Sequence, residues 1–423
     1  MASLLRQWFE RGLVAQVSDE AGLTSHLETG RRTVYCGFDP SAASLQVGNL
    51  VPLLGLRRFQ RAGHRPILLI GGATGLIGDP GGKSEERILH SRDTVRQWAA
   101  GIREQASAFL DFSGAGAALV VDNLDWTAEL PVIAFLRDVG KHFSVNAMVR
   151  RDSVQSRLTR EGAGISYTEF SYMVLQAMDF LELARRHDCS VQIGGSDQWG
   201  NIVGGVELIR RALAREAYAL TTPLVTKADG RKFGKSESGT VWLDPSLTSP
   251  YAFYQFWLNA ADADVPAWLR TFTFLDVLAI DEAVAAAVED PGGRAAQKLL
   301  AGEVTRLVHG EAGLGSAERI TAALFGGDIH ALGPTDFEQL RLDGMGCTEL
   351  PAGTGVAAAM ADAGLAPSRG AARRLISSGG VSVNGAPVRD VEQALSADTA
   401  LHGRYHLIRR GRKAWHLAVH AAT

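Results

Sequence analysis

Apolar and polar positions follow two rhythms along the first half of the chain. Thr33–Phe38 and Arg65–Gly71 are short apolar runs that read as strands. Between them, from about Leu50 to Ala62, apolar residues recur at helical spacing. A strand–helix–strand order predicts a parallel sheet with right-handed crossovers, an α/β fold. Ligands on such sheets lie beyond the carboxyl ends of the strands, so Asp39–Asn49 and Gly72–Lys83 are the segments to search for chemistry. From about Tyr251 to Leu324 the pattern turns helical and rich in Ala and Leu, as in Ala283–Val288 and Ala295–Val308. Residues 326–355 carry many Gly, Pro, Asp and Thr with weak periodicity and are expected to form a linker. The tail resumes with a basic helix, Ser368–Ser378, a Gly379-Gly380 break and a strand-turn over Val381–Gly385. The expected organisation is an α/β parallel-sheet domain over 1–230, a polar loop and α-helical domain over 231–325, a linker over 326–354 and a small α+β domain over 355–423.

Composition adds three constraints. The chain of 423 residues is 46% hydrophobic and 21% charged, ordinary for a globular protein and long enough for two or three domains. Its start, Met1 to Arg11, places charges where a secretory signal needs an unbroken apolar core, and no uncharged run spans a bilayer. Cys36, Cys189 and Cys347 are odd in number and far apart, neither a disulfide framework nor a metal-ligand spacing. The expectation is a cytoplasmic protein without a structural metal. The net charge of -3 is uneven: from Gly355 onward there are nine Lys/Arg against four Asp/Glu, so a basic module follows an acidic body. That balance suits a polyanionic partner as readily as an ordinary basic surface.

Two segments imitate a phosphate-binding P-loop. Gly78–Ser84 and Gly230–Ser236 each have one residue too few between the glycines to close a ring of N–H groups round a phosphate. The spacing of Gly72, Gly75 and Gly78 is not the dinucleotide fingerprint, and these glycines fit close backbone packing equally well.

Three other segments hold chemistry. Lys232-Phe233-Gly234-Lys235-Ser236 sets two cations and a hydroxyl round a glycine, which suits an anionic leaving group such as pyrophosphate; alone it would read as a solvated loop. Ile165 to Tyr172 leads into a helix on which Tyr172, Gln176 and Asp179 fall at i, i+4 and i+7 and share a face. A phenol, an amide and a carboxylate together could recognise a small zwitterion, or simply form a partly exposed polar face. Val191 to Asn201 is a short strand breaking into a glycine turn with Asp197 and Gln198, where a carboxylate could accept from ribose hydroxyls.

Val34–Pro40, Gly71–Pro80, Tyr167–Asp179, Gln192–Asn201 and Lys232–Ser236 occur in the order found in bacterial tyrosyl-tRNA synthetases, which are class I aminoacyl-tRNA synthetases. The resemblance runs from about Leu4 to the C-terminus, and the tail from Gly364 resembles the S-four-like RNA-binding module of that family. It implies a Rossmann-like catalytic domain, an α-helical domain and a small α+β RNA-binding domain. It also implies activation of L-tyrosine with ATP accompanied by Mg2+, transfer to tRNA(Tyr) and a homodimer. By position, Tyr35 and Asp179 would bond the substrate phenol, Asp79, Tyr172 and Gln176 its ammonium, and Gln198 its carboxylate side. Cys36, Gly195 and Asp197 would contact ribose, with Gly37, Asp39, Gly48, Leu224 and Val225 beside ATP. Lys83, Arg87, Lys232 and Lys235, with Ser236, would neutralise phosphate charge, and Arg369, Arg373 and Arg374 would meet RNA.

The sequence departs from the family at one point. The usual His-x-Gly-His after the first strand is Gln46-Val47-Gly48-Asn49 here, with Ser41 at the neighbouring phosphate-binding position. Gln46 and Asn49 donate neutral hydrogen bonds, roughly half as strong as charge-assisted ones, so slower adenylate formation is expected. The same departure favours an alternative, a divergent paralogue with weak catalysis acting in inhibitor tolerance or as an RNA-binding protein. A tryptophanyl-tRNA synthetase would share the fold but not Tyr35 with Asp179 and the RNA-binding tail, and a nucleotide-dependent oxidoreductase would need a fingerprint that is missing.

Overall fold

The computed structural model describes residues 3–79, 90–151, 154–155, 158, 164–228, 230, 233–236, 239–351, 353–411 and 414–420, with Lys235 and Ser236 described for their main chain. The chain divides into two compact units, 1–243 with 260–300, and 244–259 with 301–423.

The first unit is built on a six-stranded sheet. Its strands are β1 (Gln16–Val17), β2 (Thr33–Phe38), β3 (Arg65–Ile70), β4 (Leu119–Asp122), β5 (Cys189–Gly195) and β6 (Tyr218–Thr222), in the order β1-β6-β5-β2-β3-β4. All neighbours are parallel except the antiparallel edge pair β1 and β6. β2, β3 and β5 are buried on both faces, which is why they read as continuous apolar runs without alternation. Among the helices are α1 (Leu4–Glu10), α2 (Glu20–Glu28), α3 (Leu50–Arg61), α4 (Thr74–Ile77) and α5 (Arg92–Ser107). α1, α2 and α5 start where Ser3, Asp19 and Ser91 accept from a backbone N–H of the first turn. The helix Tyr167–His187, capped by Ser166, buries Met173, Val174, Ala177, Phe180 and Leu181 in the core.

Two short strands, β7 (Lys235–Ser236) and β8 (Gly239–Thr240), make a hairpin in the lysine-rich segment. Its base is tied to the segment after β2: Val241 N–H donates to Gly234 O at 3.0 Å, and Val47 N–H to Val241 O at 3.1 Å. Phe233 stacks on Phe272 (5.2 Å) and meets the edge of Trp268 (5.0 Å).

In the second unit a five-stranded sheet has the order β11-β10-β12-β13-β9, with β9 Cys347–Leu350, β10 Val381–Val383, β11 Ala386–Pro387, β12 Tyr405–Arg410 and β13 Ala414–His420. The expected linker is corrected here. Residues 326–354 contain the helix Pro334–Leu342 and strand β9, which pairs in parallel with β13. Leu332, Phe337 and Leu340 belong to one buried cluster with Leu407 and Leu417. Local signals for the helix exist: Pro334 sits in its first turn, and the Asp336 carboxylate accepts from Gly333 N–H at 2.9 Å. The strand takes its pairing from residues 70 positions away, beyond the reach of a window read along the chain. The basic helix forms at Arg369–Ser377 behind its Ser368 cap, and Asn384-Gly385 turns between β10 and β11. No helix among the described residues is long and apolar enough to cross a membrane.

Candidate active site

The carboxyl ends of β2, β3 and β5 surround a cavity of about 510 Å3. β2 delivers Tyr35 to Asp39, the turn after β3 delivers Gly71 to Asp79, β5 delivers Gln192 to Gln198, and the helix Tyr167–His187 delivers Tyr172, Gln176 and Asp179. Of the anticipated residues, Tyr35, Cys36, Gly37, Asp39, Ser41, Asn49, Asp79, Tyr172, Gln176, Asp179, Gly195 and Gln198 line this one space. The i, i+4, i+7 face is therefore a cavity wall. Val174, Met178 and Leu181 on the other sides are buried in the core.

Asp179 is the best-defined group. It is 2% exposed, and each carboxylate oxygen accepts one hydrogen bond: Oδ1 from Trp126 Nε1 and Oδ2 from Asn123 Nδ2, both at 2.9 Å. Burial pushes its carboxyl up to about 7, against the pull of those two donors, with the charges of Asp39 and Asp122 adding to the rise. A carboxylate has further lone pairs, so Asp179 can still accept from a ligand. Tyr35 stands within its electrostatic reach: burial first, then the Asp179 charge, hold the Tyr35 phenol well above its ordinary value.

Three buried polar atoms of this lining have no hydrogen-bond partner among the described residues: Tyr35 Oη, Gln176 Oε1 and Gln192 Oε1. Leaving such an atom unpaired costs about 1–3 kcal/mol, so three on one cavity mark the surface a polar ligand would satisfy. The two amide oxygens are acceptors, suited to an ammonium group; the phenol can donate or accept.

Carboxylates organise the remainder. Asp39 accepts from Tyr172 Oη at 2.7 Å and from Thr74 Oγ1 at 2.6 Å. A Cβ on Gly71 would overlap the Asp39 carboxylate and Thr74 Oγ1, and one on Gly75 would come within 2.9 Å of Pro40. These glycines serve close packing that holds Asp39 in the site. Gln198 Nε2 donates to Asp79 Oδ2 at 2.7 Å and to its neighbour Asp197 at 3.3 Å, while burial raises the Asp197 carboxyl. Burial also pushes the Cys36 thiol up to about 12, so it sits in the site as a neutral group.

Other anticipated residues fall differently. Gln46 caps and Gly48 occupies a single helical turn, Val47–Asn49, where Gln46 N–H donates to Asn49 Oδ1 at 2.9 Å, and neither lines the cavity. The Asn49 oxygen is thus committed, leaving its amide nitrogen for a ligand. Leu224 and Val225 follow β6 and are not among the lining; Leu224 lies against Gly195. Lys83, Arg87 and Lys232 lie outside the described residues. In the second unit, Arg369, Arg373 and Arg374 are exposed on the basic helix, and Arg373 pairs with Glu392 at 2.8 Å in solvent.

The sequence reading missed Thr74, His90, Asn123, Trp126 and Gln192. Asn123 and Trp126 had a findable signal, since they follow β4, whose carboxyl end lies beside that of β3. That strand, Leu119–Asp122, is only half-buried and short, so it was not read as one.

Fold and cavity together define a Rossmann-like α/β protein whose candidate site, a polar cavity, lies at the carboxyl ends of a parallel sheet. A family model for class I tRNA synthetases (W and Y) matches residues 27–326, and one for the tyrosine–tRNA ligase SYY-like C-terminal domain matches residues 336–418. The chain is 55% identical over 421 residues to a tyrosine–tRNA ligase of Aliivibrio salmonicida, covering 98% of each chain. It is 53% identical over 416 residues to one of Salmonella paratyphi B, covering 97% of each. Among solved structures, a C-terminally truncated mitochondrial tyrosyl-tRNA synthetase of Aspergillus nidulans aligns with TM-score 0.69 at 29% identity, covering 77% of this chain and 95% of that one. The chain belongs to the tyrosine–tRNA ligase family of class I tRNA synthetases.

Proposed function

We propose that this protein activates L-tyrosine with ATP to tyrosyl-adenylate and pyrophosphate, then transfers the tyrosyl group to the terminal ribose hydroxyl of tRNA(Tyr). The observation that carries the reading is one cavity lined by three buried polar atoms that have no hydrogen-bond partner among the described residues. The Tyr35 phenol is buried beside the Asp179 carboxylate without a partner among the described residues, and the acceptor oxygens of Gln176 and Gln192 share the cavity with Asp79, which accepts from Gln198. A para-hydroxylated aromatic amino acid meets these groups, its phenol bonding Tyr35 and Asp179 and its ammonium bonding Asp79, Gln176 and Tyr172.

The amino-acid carboxylate attacks the α-phosphate of ATP in line and pyrophosphate leaves; no side chain need act as nucleophile. Gly195 and Asp197 are assigned to ribose. Lys83, Arg87, Lys232, Lys235 and Ser236 are assigned to the phosphates, with Ser41, Gln46 and Asn49. The backbone ties between Gly234, Val241 and Val47 give the lysine hairpin a fixed base at the Gln46–Asn49 turn. Mg2+ is assigned to ATP, whose phosphate charge it would offset. The exposed arginines Arg369 and Arg374, with Arg373, are assigned to tRNA phosphates.

A homodimer in the cytoplasm completes the proposal. It is supported by Val132, Ile133, Leu136 and Val145, apolar side chains 48–72% exposed on the short helical segments between residues 132 and 149. Ile133→Glu is expected to shift the protein to monomer in light scattering.

The reading is tested by ATP–pyrophosphate exchange with purified protein. Exchange is expected to require L-tyrosine and to collapse in Asp179→Ala, whereas near-normal exchange in that variant would remove the substrate assignment.

A further inference from the structure

A second cavity, of about 500 Å3, shares no lining residue with the first. It opens between α1, α2, the end of α3 and the segment Phe274–Asp276, and its lining includes Trp8, Arg11, Arg58, Arg61, His64 and Phe274.

The sequence of α3 puts Arg58 and Arg61 one turn apart on the same face. Part of their purpose is structural. The helix Val265–Phe272 ends here, and its terminal carbonyls need donors. Arg58 Nη2 donates to Thr273 O at 2.8 Å and Thr271 O at 3.2 Å, and Arg11 Nη1 donates to Arg270 O at 3.2 Å. The guanidinium carbons of Arg57, Arg58 and Arg61 lie 5.3, 4.6 and 4.7 Å from the centre of the single Phe274 ring.

Capping and stacking leave three things unexplained. None of Arg11, Arg57, Arg58 or Arg61 has a carboxylate within ion-pair distance among the described residues; Asp276 acts on Arg11 from further away. Arg61, exposed to solvent at the end of α3, makes no hydrogen bond with a described residue and so keeps all its donors for a ligand, while its charge bears on Arg11, Arg57 and Arg58. The indole N–H of Trp8, a residue 1% exposed, also lacks a partner among the described residues. Burial, with Arg11 and Arg61 repelling, lowers Arg58 to about 9. Like charges gathered on a cavity with spare donors are stabilised by a bound anion.

We propose that this cavity is a binding site for a small anion carrying two or more negative charges on phosphoryl or carboxylate oxygens. Arg61 and Arg11 supply its charged donors, Arg58 closes the cationic wall, and the two carboxylates of the lining, Glu28 and Asp276, oppose it.

Isothermal titration of the full-length protein with inorganic phosphate and, separately, with citrate tests this, KCl at matched ionic strength serving as the control. Saturable binding of at least one is expected; phosphate alone identifies a phosphoryl ligand and citrate alone a polycarboxylate. Arg61→Gln should weaken that binding about tenfold or more, Arg61→Lys should weaken it less, and Asp276→Asn should tighten it. All three variants should keep wild-type tyrosine-dependent exchange, which also shows that they fold. Equal affinity in wild type and Arg61→Gln, weaker binding in Asp276→Asn, or heats that KCl reproduces would overturn the proposal.

Discussion

Asp179→Asn separates what the buried carboxylate does for binding from what it does to stability. The carboxyl is raised from an ordinary value near 3.8 to about 7 because it is buried. A group whose pKa is higher folded than unfolded holds its proton more tightly in the native state. Its stabilising contribution is full below about 4 and is lost as pH rises to about 7, a span worth about 4 kcal/mol at most. Asparagine carries no charge and removes that dependence. It also replaces a carboxylate oxygen by an amide nitrogen that cannot accept from Asn123 or Trp126, which costs about 1–3 kcal/mol at any pH. The unliganded variant should therefore be less stable than wild type near pH 4 and more stable, by roughly 1–3 kcal/mol, near pH 8. Near pH 8, where the wild-type carboxyl is ionised, tyrosine activation should be weaker by about tenfold to a hundredfold, the worth of one hydrogen bond to a charged acceptor. Urea unfolding at pH 4.5, 6 and 8, paired with exchange kinetics, measures both. A stability difference that stays constant with pH would refute the buried-carboxylate account.

Further predictions follow from neighbouring contacts. Trp126→Phe removes one of the two donors to Asp179 and should raise the KM for tyrosine about tenfold while leaving the KM for ATP unchanged, which steady-state exchange with each substrate varied would check. Phe233→Ala frees the lysine hairpin from Phe272 and Trp268 and should lower the rate of activation with little change in tyrosine affinity, as single-turnover kinetics and equilibrium dialysis would report. Restoring histidines with the pair Gln46→His and Asn49→His should speed adenylate formation, visible in stopped-flow fluorescence; slower formation would show that the Gln46–Asn49 turn is already matched to its neighbours.

Much of this site was legible because its residues lie in short runs at predictable places. Asp39 and Gln198 sit just beyond the ends of β2 and β5, Tyr35 lies within β2, Asp79 is in the segment that follows β3, and Tyr172, Gln176 and Asp179 are related by helical periodicity alone. What escaped depends on distant partners. Asn123 and Trp126 matter because Asp179, more than fifty positions away, accepts from them. The glycines at 71 and 75 gave an ambiguous signal that only the packing of Asp39 and Pro40 resolves. Between 326 and 354 the Gly and Pro content dominated the reading, although Phe337 and Leu340 are buried and β9 completes a sheet with strands near the end of the chain. The arginines round Phe274 were invisible as a group, since Arg11, Arg58 and Arg61 meet only through the loop that ends the helix Val265–Phe272.

The central claim is that Tyr35 and Asp179 read the hydroxyl of a phenol. It is tested most directly by comparing kcat/KM for ATP–pyrophosphate exchange with L-tyrosine and with L-phenylalanine. Phenylalanine leaves the Tyr35 phenol unsatisfied and withdraws one hydrogen bond from Asp179, which keeps only Asn123 and Trp126, at about 1–3 kcal/mol each, so tyrosine should be preferred by roughly thirtyfold or more. Comparable exchange with the two amino acids would contradict the account.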